Sequence, residues 1–432
     1  MSPVRHRSRA ELPSSPIEFA YPIAVPDGTV FGTVIVQEVP HTFALQVFQA
    51  LRMTMAWAAG PEASGIEFDT MNLTEWELEV LQTKGVDEAL WAPVAVIAGE
   101  LTRPAMLEPE RLSHACLAVM DWALGADAHG TALLFAEAAA VVWPSNARLA
   151  WICGKAHRER HDFARAETWL RRAKRVAVWT GDWEMQSLAI NSLGNIRMWM
   201  GDLEAARELL LQAGRIAKAR RLRERHAKVL HDLFLVCIYS GEWKEAERYA
   251  EQAFAAYGPD HPNITALTFD LALLATHQGQ FARALEVLNQ LRDQFTDDDR
   301  RLRVYAMIGR AAGAAGDAET FQSAWTESWA LIDGNTVDHL RADAALELGL
   351  GAIGLGFRDH AIHALVIAKE AAEELGERDT LQNAESALGK LEYHEAAAVA
   401  ARNRPAVRTR AAELAAKYIL VVQAPTGGNA AN

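Results

Sequence analysis

Six short turns punctuate this chain at nearly constant spacing: His161-Asp162-Phe163, Gly201-Asp202-Leu203, Gly241-Glu242-Trp243, Gly279-Gln280-Phe281, Gly316-Asp317-Ala318 and Gly356-Phe357-Arg358. The steps between them are 40, 40, 38, 37 and 40 residues. Self-similarity at such a period marks a stack of like units, each burying its faces against its neighbours, rather than a chain gathered around a single core. Function is then expected on a surface that successive units share.

The residues flanking each turn say what the unit is. Leu193-Gly194-Asn195 precedes Gly201, and Ala206, Leu210 and Ala213 follow it. Cys153-Gly154 precedes His161, with Ala166, Leu170 and Ala173 after it; Leu348-Gly349 precedes Gly356, with Ala361, Leu365 and Ala368 after it. Small residues at helical spacing on both sides of a glycine turn predict two helices that cross closely, because glycine ends a helix cheaply in the left-handed region. Gly201 and Gly241 are predicted to have positive φ. The Gly241 copy keeps Ala246, Ala250 and Ala253 but carries Leu233-Phe234 on its first helix, and the Gly316 copy is degenerate, with Phe321 and Ser328 in place of small residues.

This pattern resembles the tetratricopeptide repeat (TPR) family, whose unit is a helix-turn-helix of about 34 residues with a late proline. An earlier copy keeps that form: Ala132, Ala136 and Ala139 lead to Trp143-Pro144-Ser145-Asn146, and the next unit begins at Ala147. The longer later units resemble the extended repeats of some bacterial regulators. The resemblance covers roughly residues 113 to 402 and implies an all-α fold, a right-handed α-solenoid whose first helices line a concave groove. Such a fold serves many unrelated partners.

Outside the array, residues 1–15 are polar and expected to be disordered. Residues 16–110 are expected to form an N-terminal cap: a hairpin from Ile17–Tyr21 and Val30–Val36 around Pro26-Asp27-Gly28, then helices over about 41–58 and 73–102, with Asn72-Leu73-Thr74-Glu75 as a helix start. Residues 403–423 read as a last amphipathic helix and 424–432 as a disordered tail.

The net charge of −13 argues against a protein devoted to nucleic acid or anionic lipid. The basic run Arg215, Lys218, Arg220, Arg221, Arg223, Arg225 and Lys228 lacks interleaved aromatics and reads as a solvated helix end whose cations oppose the helix dipole. Cys116, Cys153 and Cys237 lie far apart within helical apolar patterns, which suggests reduced core thiols and a cytoplasmic location. No stretch approaches the length of a membrane span, and no secretion signal is evident.

A search for chemistry returns little. His157 and His161 stand four apart, a spacing that can hold zinc, but His161 fills the turn position given to glycine elsewhere. His231 and Asp232 are adjacent and so diverge on a helix. No glycine loop for phosphate, nucleophile elbow or paired-cysteine motif is present, and Gly349, Gly351, Gly354 and Gly356 follow no strand. No catalytic residue, metal or cofactor is therefore assigned, and the expectation is a non-enzymatic protein.

The candidate site is the groove wall. Asn191, Asn195 and Trp199 form a stripe at intervals of four, where two amides can pair with the backbone of an extended peptide beside an aromatic platform. Equivalent positions supply Lys155 and Arg158, then Lys228, His231, Asp232 and Tyr239, then Asp270 and His277, then Arg303 and Arg310. This wall does not match the carboxylate clamp of cochaperone repeats. Two classes remain: a scaffold or adaptor binding a protein segment or peptide, and a ligand- or peptide-responsive sensor without a DNA-binding domain of its own. An enzyme with the array as substrate arm is a third reading without residues to support it. Self-association as a homo-oligomer is left open.

Overall fold

The computed structural model describes residues 32–60, 70–160, 162–334, 340–393 and Leu414. Among these the regular structure is entirely helical, and the chain divides into two compact units, residues 1–196 and 197–432.

The first unit holds α1 (Gly32–Glu38), α2 (Ala44–Ala59), α3 (Thr70–Gln82), α4 (Glu88–Leu101), α5 (Pro109–Gly125), α6 (His129–Val142), α7 (Ala147–Glu159), α8 (Phe163–Thr180) and most of α9 (Trp183–Trp199). The second holds α10 (Leu203–Ala219), α11 (Arg223–Tyr239), α12 (Trp243–Tyr257), α13 (Asn263–His277), α14 (Phe281–Leu291), α15 (Asp298–Ala315), α16 (Ala318–Asp333), α17 (Arg341–Leu355), α18 (Arg358–Leu375) and α19 (Arg378–Tyr393).

The recurring turn has one hydrogen-bond scheme in the second unit. Gly201, Gly241, Gly279, Gly316 and Gly356 all have φ between 71° and 84°. The amide one residue further on reaches back five residues to a helical carbonyl, as from Asp202 to Arg197 (2.9 Å), Gln280 to Ala275 (2.8 Å) and Asp317 to Ala312 (2.9 Å). This satisfies the carbonyls at the helix end, and only glycine adopts the required dihedral without strain. The aspartate after the glycine then opens the next helix: Asp202 Oδ1 accepts from the Ala205 amide and Asp317 Oδ1 from the Thr320 amide. His161 lies outside the described residues, but Asp162 caps α8 in the same way.

Two small residues show why the helices of a pair cross closely. A Cβ on Gly154 would stand 2.6 Å from Leu170 Cγ, and one on Gly349 would stand 2.7 Å from Leu365 Cγ. The Gly316 copy keeps its turn, and its Phe321 and Ser328 are both buried. Between α15 and α17 the approach is closer still. A Cβ on Gly313 would fall 2.0 Å from the Gly351 carbonyl oxygen, and one on Gly354 2.6 Å from that of Gly313. Of the four glycines that sequence sets beside a nucleotide loop, Gly351 and Gly354 make backbone contacts between two first helices, Gly349 packs on Leu365 and Gly356 is the turn residue.

In the second unit, first helices touch the next first helix along the chain, α11 with α13, α13 with α15, α15 with α17 and α17 with α19. This solenoid arrangement places side chains of four or five repeats on one face.

The N-terminal region departs from expectation. Residues 32–36, expected within the second hairpin strand Val30–Val36, lie instead in α1, which buries Ile35. Glu38 accepts from the Gly130 amide (2.9 Å) and the Thr131 amide (2.6 Å), so its carboxylate caps the open N-terminus of α6. Tertiary contact here overrides the strand preference of Val34, Ile35 and Val36. The stretch 73–102 is two helices, because the chain turns before Asp87, whose side chain accepts from the Ala89 amide. Asn72 is not a helix start, since α3 already begins at Thr70. The first strand at 17–21 and its turn, the segments 1–15 and 424–432 and, apart from helical, buried Leu414, the helix expected over 403–423 lie outside the described residues.

Candidate functional site

The first helices of the second unit carry a polar band built on a fixed offset from the turn. Lys228, Arg303 and Asp343 stand thirteen residues before Gly241, Gly316 and Gly356, and Asp232, Asp270 and Glu347 stand nine before Gly241, Gly279 and Gly356. Offsets that differ by four share one helix face. Since each turn fixes its helix end in the same way, these side chains arrive on the same face of successive repeats.

At one end, α11 and α13 are joined by polar contacts. His231 is 2% exposed; its Nε2 lies 2.7 Å from Asp270 Oδ2 and its Nδ1 3.4 Å from the Tyr257 hydroxyl. Asp232 is buried and takes Lys228 Nζ at 3.1 Å. The Asp232 carboxylate raises the Lys228 ammonium pKa against burial, which keeps the lysine charged. His231 and Asp232 thus serve different partners, as their adjacency requires. His231 joins α11 to α13, whereas Asp232 holds Lys228 on their shared helix.

Exposed groups lie beside this framework. Tyr239 is 51% exposed, with its ring edge-on to His277 at 6.3 Å, and Trp243 also lies against His277, at 6.4 Å. Burial and the nearby Arg310 lower the pKa of His277, favouring its neutral form. Arg303 is exposed and forms no hydrogen bond or ion pair among the described residues, although its charge acts on both Tyr239 and Glu377.

The far end is rich in carboxylates. Arg310 Nε lies 3.5 Å from Glu347, and its Nη1 donates to the Leu350 carbonyl at 3.2 Å, joining α15 to α17. Asp343 Oδ1 accepts from the Thr380 hydroxyl at 2.9 Å, joining α17 to α19. Burial, reinforced by Asp343, raises the Glu377 carboxyl to about 7. Asp343, Glu347, Glu377 and Thr380 were not among the residues picked from sequence, although the first two obey the same offsets as Arg303 and Asp270.

The remaining expected residues lie elsewhere. In the first unit, Lys155 pairs with Glu159 at 3.4 Å and Arg158 is half-buried. Asn191, expected to face the groove, is only 5% exposed, and Asn195 is half-buried. Trp199 belongs to the second unit and is 48% exposed. The His157 imidazole is buried against Glu137 Oε1 at 2.9 Å, an oxygen that also accepts from Trp169 Nε1. No group of three or more metal-binding side chains occurs among the described residues, and no helix there is long and apolar enough to cross a membrane.

The tetratricopeptide repeat family model matches residues 238–308, the stretch that carries Tyr239, Asp270, His277 and Arg303. A Rap protein solved in complex with competence and sporulation factor is similar in fold, with a TM-score of 0.51 and 12% identity over 78% of this chain and 99% of that one. The apo form of RapI gives a TM-score of 0.50 and 11% identity over 61% of this chain and 99% of that one. A search of curated protein sequences finds no match.

Proposed function

We propose that this chain, a member of the tetratricopeptide repeat superfamily, binds an extended peptide segment across the first helices α11 to α19 of its second unit. The observation that carries the reading is the polar band itself: Tyr239, Arg303 and Asp343 stand on the first helices α11, α15 and α17, and the Glu377 carboxyl, just before α19, feels the charges of Asp343 and Arg303, over a framework held by His231–Asp270 and Arg310–Glu347. Groups at repeating positions suit a ligand that itself repeats, such as an extended backbone. Tyr239 offers an amphipathic anchor near one end, Arg303 a fork for a backbone carbonyl or carboxylate, and Asp343 with Glu377 a seat for a basic side chain. The similar Rap protein was solved with a bound factor, which supports a ligand-binding role for this architecture. Both the scaffold and the peptide-responsive regulator use this surface. Trp199 is kept as a further contact candidate on its own exposure.

The test is calorimetric titration with peptides selected from a random library on the native protein. Tyr239→Ala should weaken binding by about 2 kcal/mol, roughly thirtyfold, and Arg303→Ala by about 1 kcal/mol. Leu211→Ala, at an exposed position on second helix α10, should change nothing. Undiminished affinity in both groove variants would remove the site from this face.

A further inference from the structure

The second helices of the second unit carry a separate feature. Between α16 and α18 lies an open cleft of about 490 Å³ lined by Trp325 and Trp329 of α16 and by His360 and His363 of α18, with Asp333 and Asp359 at its edge. Trp325 and Trp329 are four apart and His360 and His363 three apart, so each pair sits on one helix face. The rings are inclined rather than stacked. Trp325 meets His360 at 4.7 Å and 63°, Trp329 meets His363 at 5.0 Å and 51°, and the two indoles lie 5.5 Å apart at 58°.

We propose that this cleft binds a small organic cation, an alkylammonium of about the size of choline. Indole faces carry the most negative quadrupole of any side chain, and a cation within about 6 Å of several ring centroids is attracted to all of them. Asp333 and Asp359 add formal negative charge, and no lysine or arginine lines the cleft among the described residues. A neutral apolar ligand would use the rings but gain nothing from the carboxylates. An anion would be repelled by them. A metal ion is disfavoured by the donor set, since no cluster of three or more ligating side chains forms there. The site stands apart from the peptide band, which is built on first helices, and does not depend on it.

The experiment titrates the full chain with choline and, in parallel, with 3,3-dimethylbutan-1-ol, its uncharged isostere, reading saturation-transfer signals from the ligand methyl protons. Choline should bind saturably and the isostere at least tenfold more weakly. The double variant Asp333→Asn/Asp359→Asn alters only exposed side chains and should weaken choline binding about tenfold. Trp329→Leu should weaken it by as much or more, with circular dichroism reporting whether helix content is kept. Tyr239→Ala should leave choline binding unaltered. Equal binding of choline and the isostere, unchanged affinity in the Asn double variant, or no saturation up to about 10 mM choline would each overturn the proposal.

Discussion

Gly313→Ala places the greatest demand on the packing described here. The added Cβ would meet the Gly351 carbonyl oxygen at 2.0 Å, its carbon at 2.4 Å and its Cα at 2.5 Å. Ordinary contacts lie between 3.4 and 4 Å, so α15 and α17 must separate by more than an ångström. The obstacle is backbone, which has no rotamer to change. Alanine in place of glycine favours a helix by about 1 kcal/mol, whereas overpacking a close contact costs about 1–3 kcal/mol and more where nothing can yield. The net expectation is a loss of about 2 kcal/mol. Repeat arrays need not melt in one step, so the measurement is hydrogen exchange of the α15 and α17 amides, which reads local opening directly, beside the thermal midpoint. Gly389→Ala on α19 is the control, because among the described residues its Cβ would meet nothing within 4 Å, which leaves the helix-propensity gain. If Gly313→Ala exchanges as slowly as the native protein, or the two variants behave alike, the α15–α17 contact is not as described.

Arg221 holds φ at 57° in a turn where glycine would be unstrained, so Arg221→Gly should stabilise by roughly 0.5–1 kcal/mol, measured as a raised thermal midpoint. Glu377 is raised in the fold from 4.5 to about 7, so its contribution is fully present below pH 4.5 and is lost as pH rises through 7. Glu377→Gln should therefore be more stable than the native protein at pH 8 and lose that advantage by pH 4; a constant difference across the range would contradict the assignment. Burial pushes Cys116 up to about 12 and Cys237 to about 11, and holds Cys153 well above its ordinary value, so a thiol-disulfide reagent at pH 8 should react with none of them quickly until denaturant is added.

What sequence disclosed followed from strictly local chemistry. A glycine that must be left-handed can be read without knowing what lies across the helix, and Gly201 and Gly241, read so, both have positive φ. The offsets of thirteen and nine are also present in the sequence, but in the Gly356 copy the run of glycines is the louder signal and masks Asp343 and Glu347. Depth was not legible. Asn191 obeys a solvent-facing spacing and is buried, because burial depends on the neighbouring repeat as well as on helix phase. For the same reason Val34, Ile35 and Val36 read as strand: the partner that makes them helical, α6, is some ninety residues away. Trp325 and Trp329 sit in the copy that sequence marked as degenerate, and the cleft they form needs His360 and His363 of the next repeat.

The link from Glu38 to the start of α6 bears on how the chain assembles during synthesis. In the second unit the principal contacts join a helix to the next or next but one, so each pair can settle soon after it leaves the ribosome. The first unit cannot proceed that way. Ile35 and Glu38 are made early, yet the amides of Gly130 and Thr131 that Glu38 caps emerge 92 and 93 residues later. Until then α1 and α2 have an apolar face without its native cover. This interval, rather than any step in the later repeats, is where a nascent chain is most open to chaperones and to misassociation.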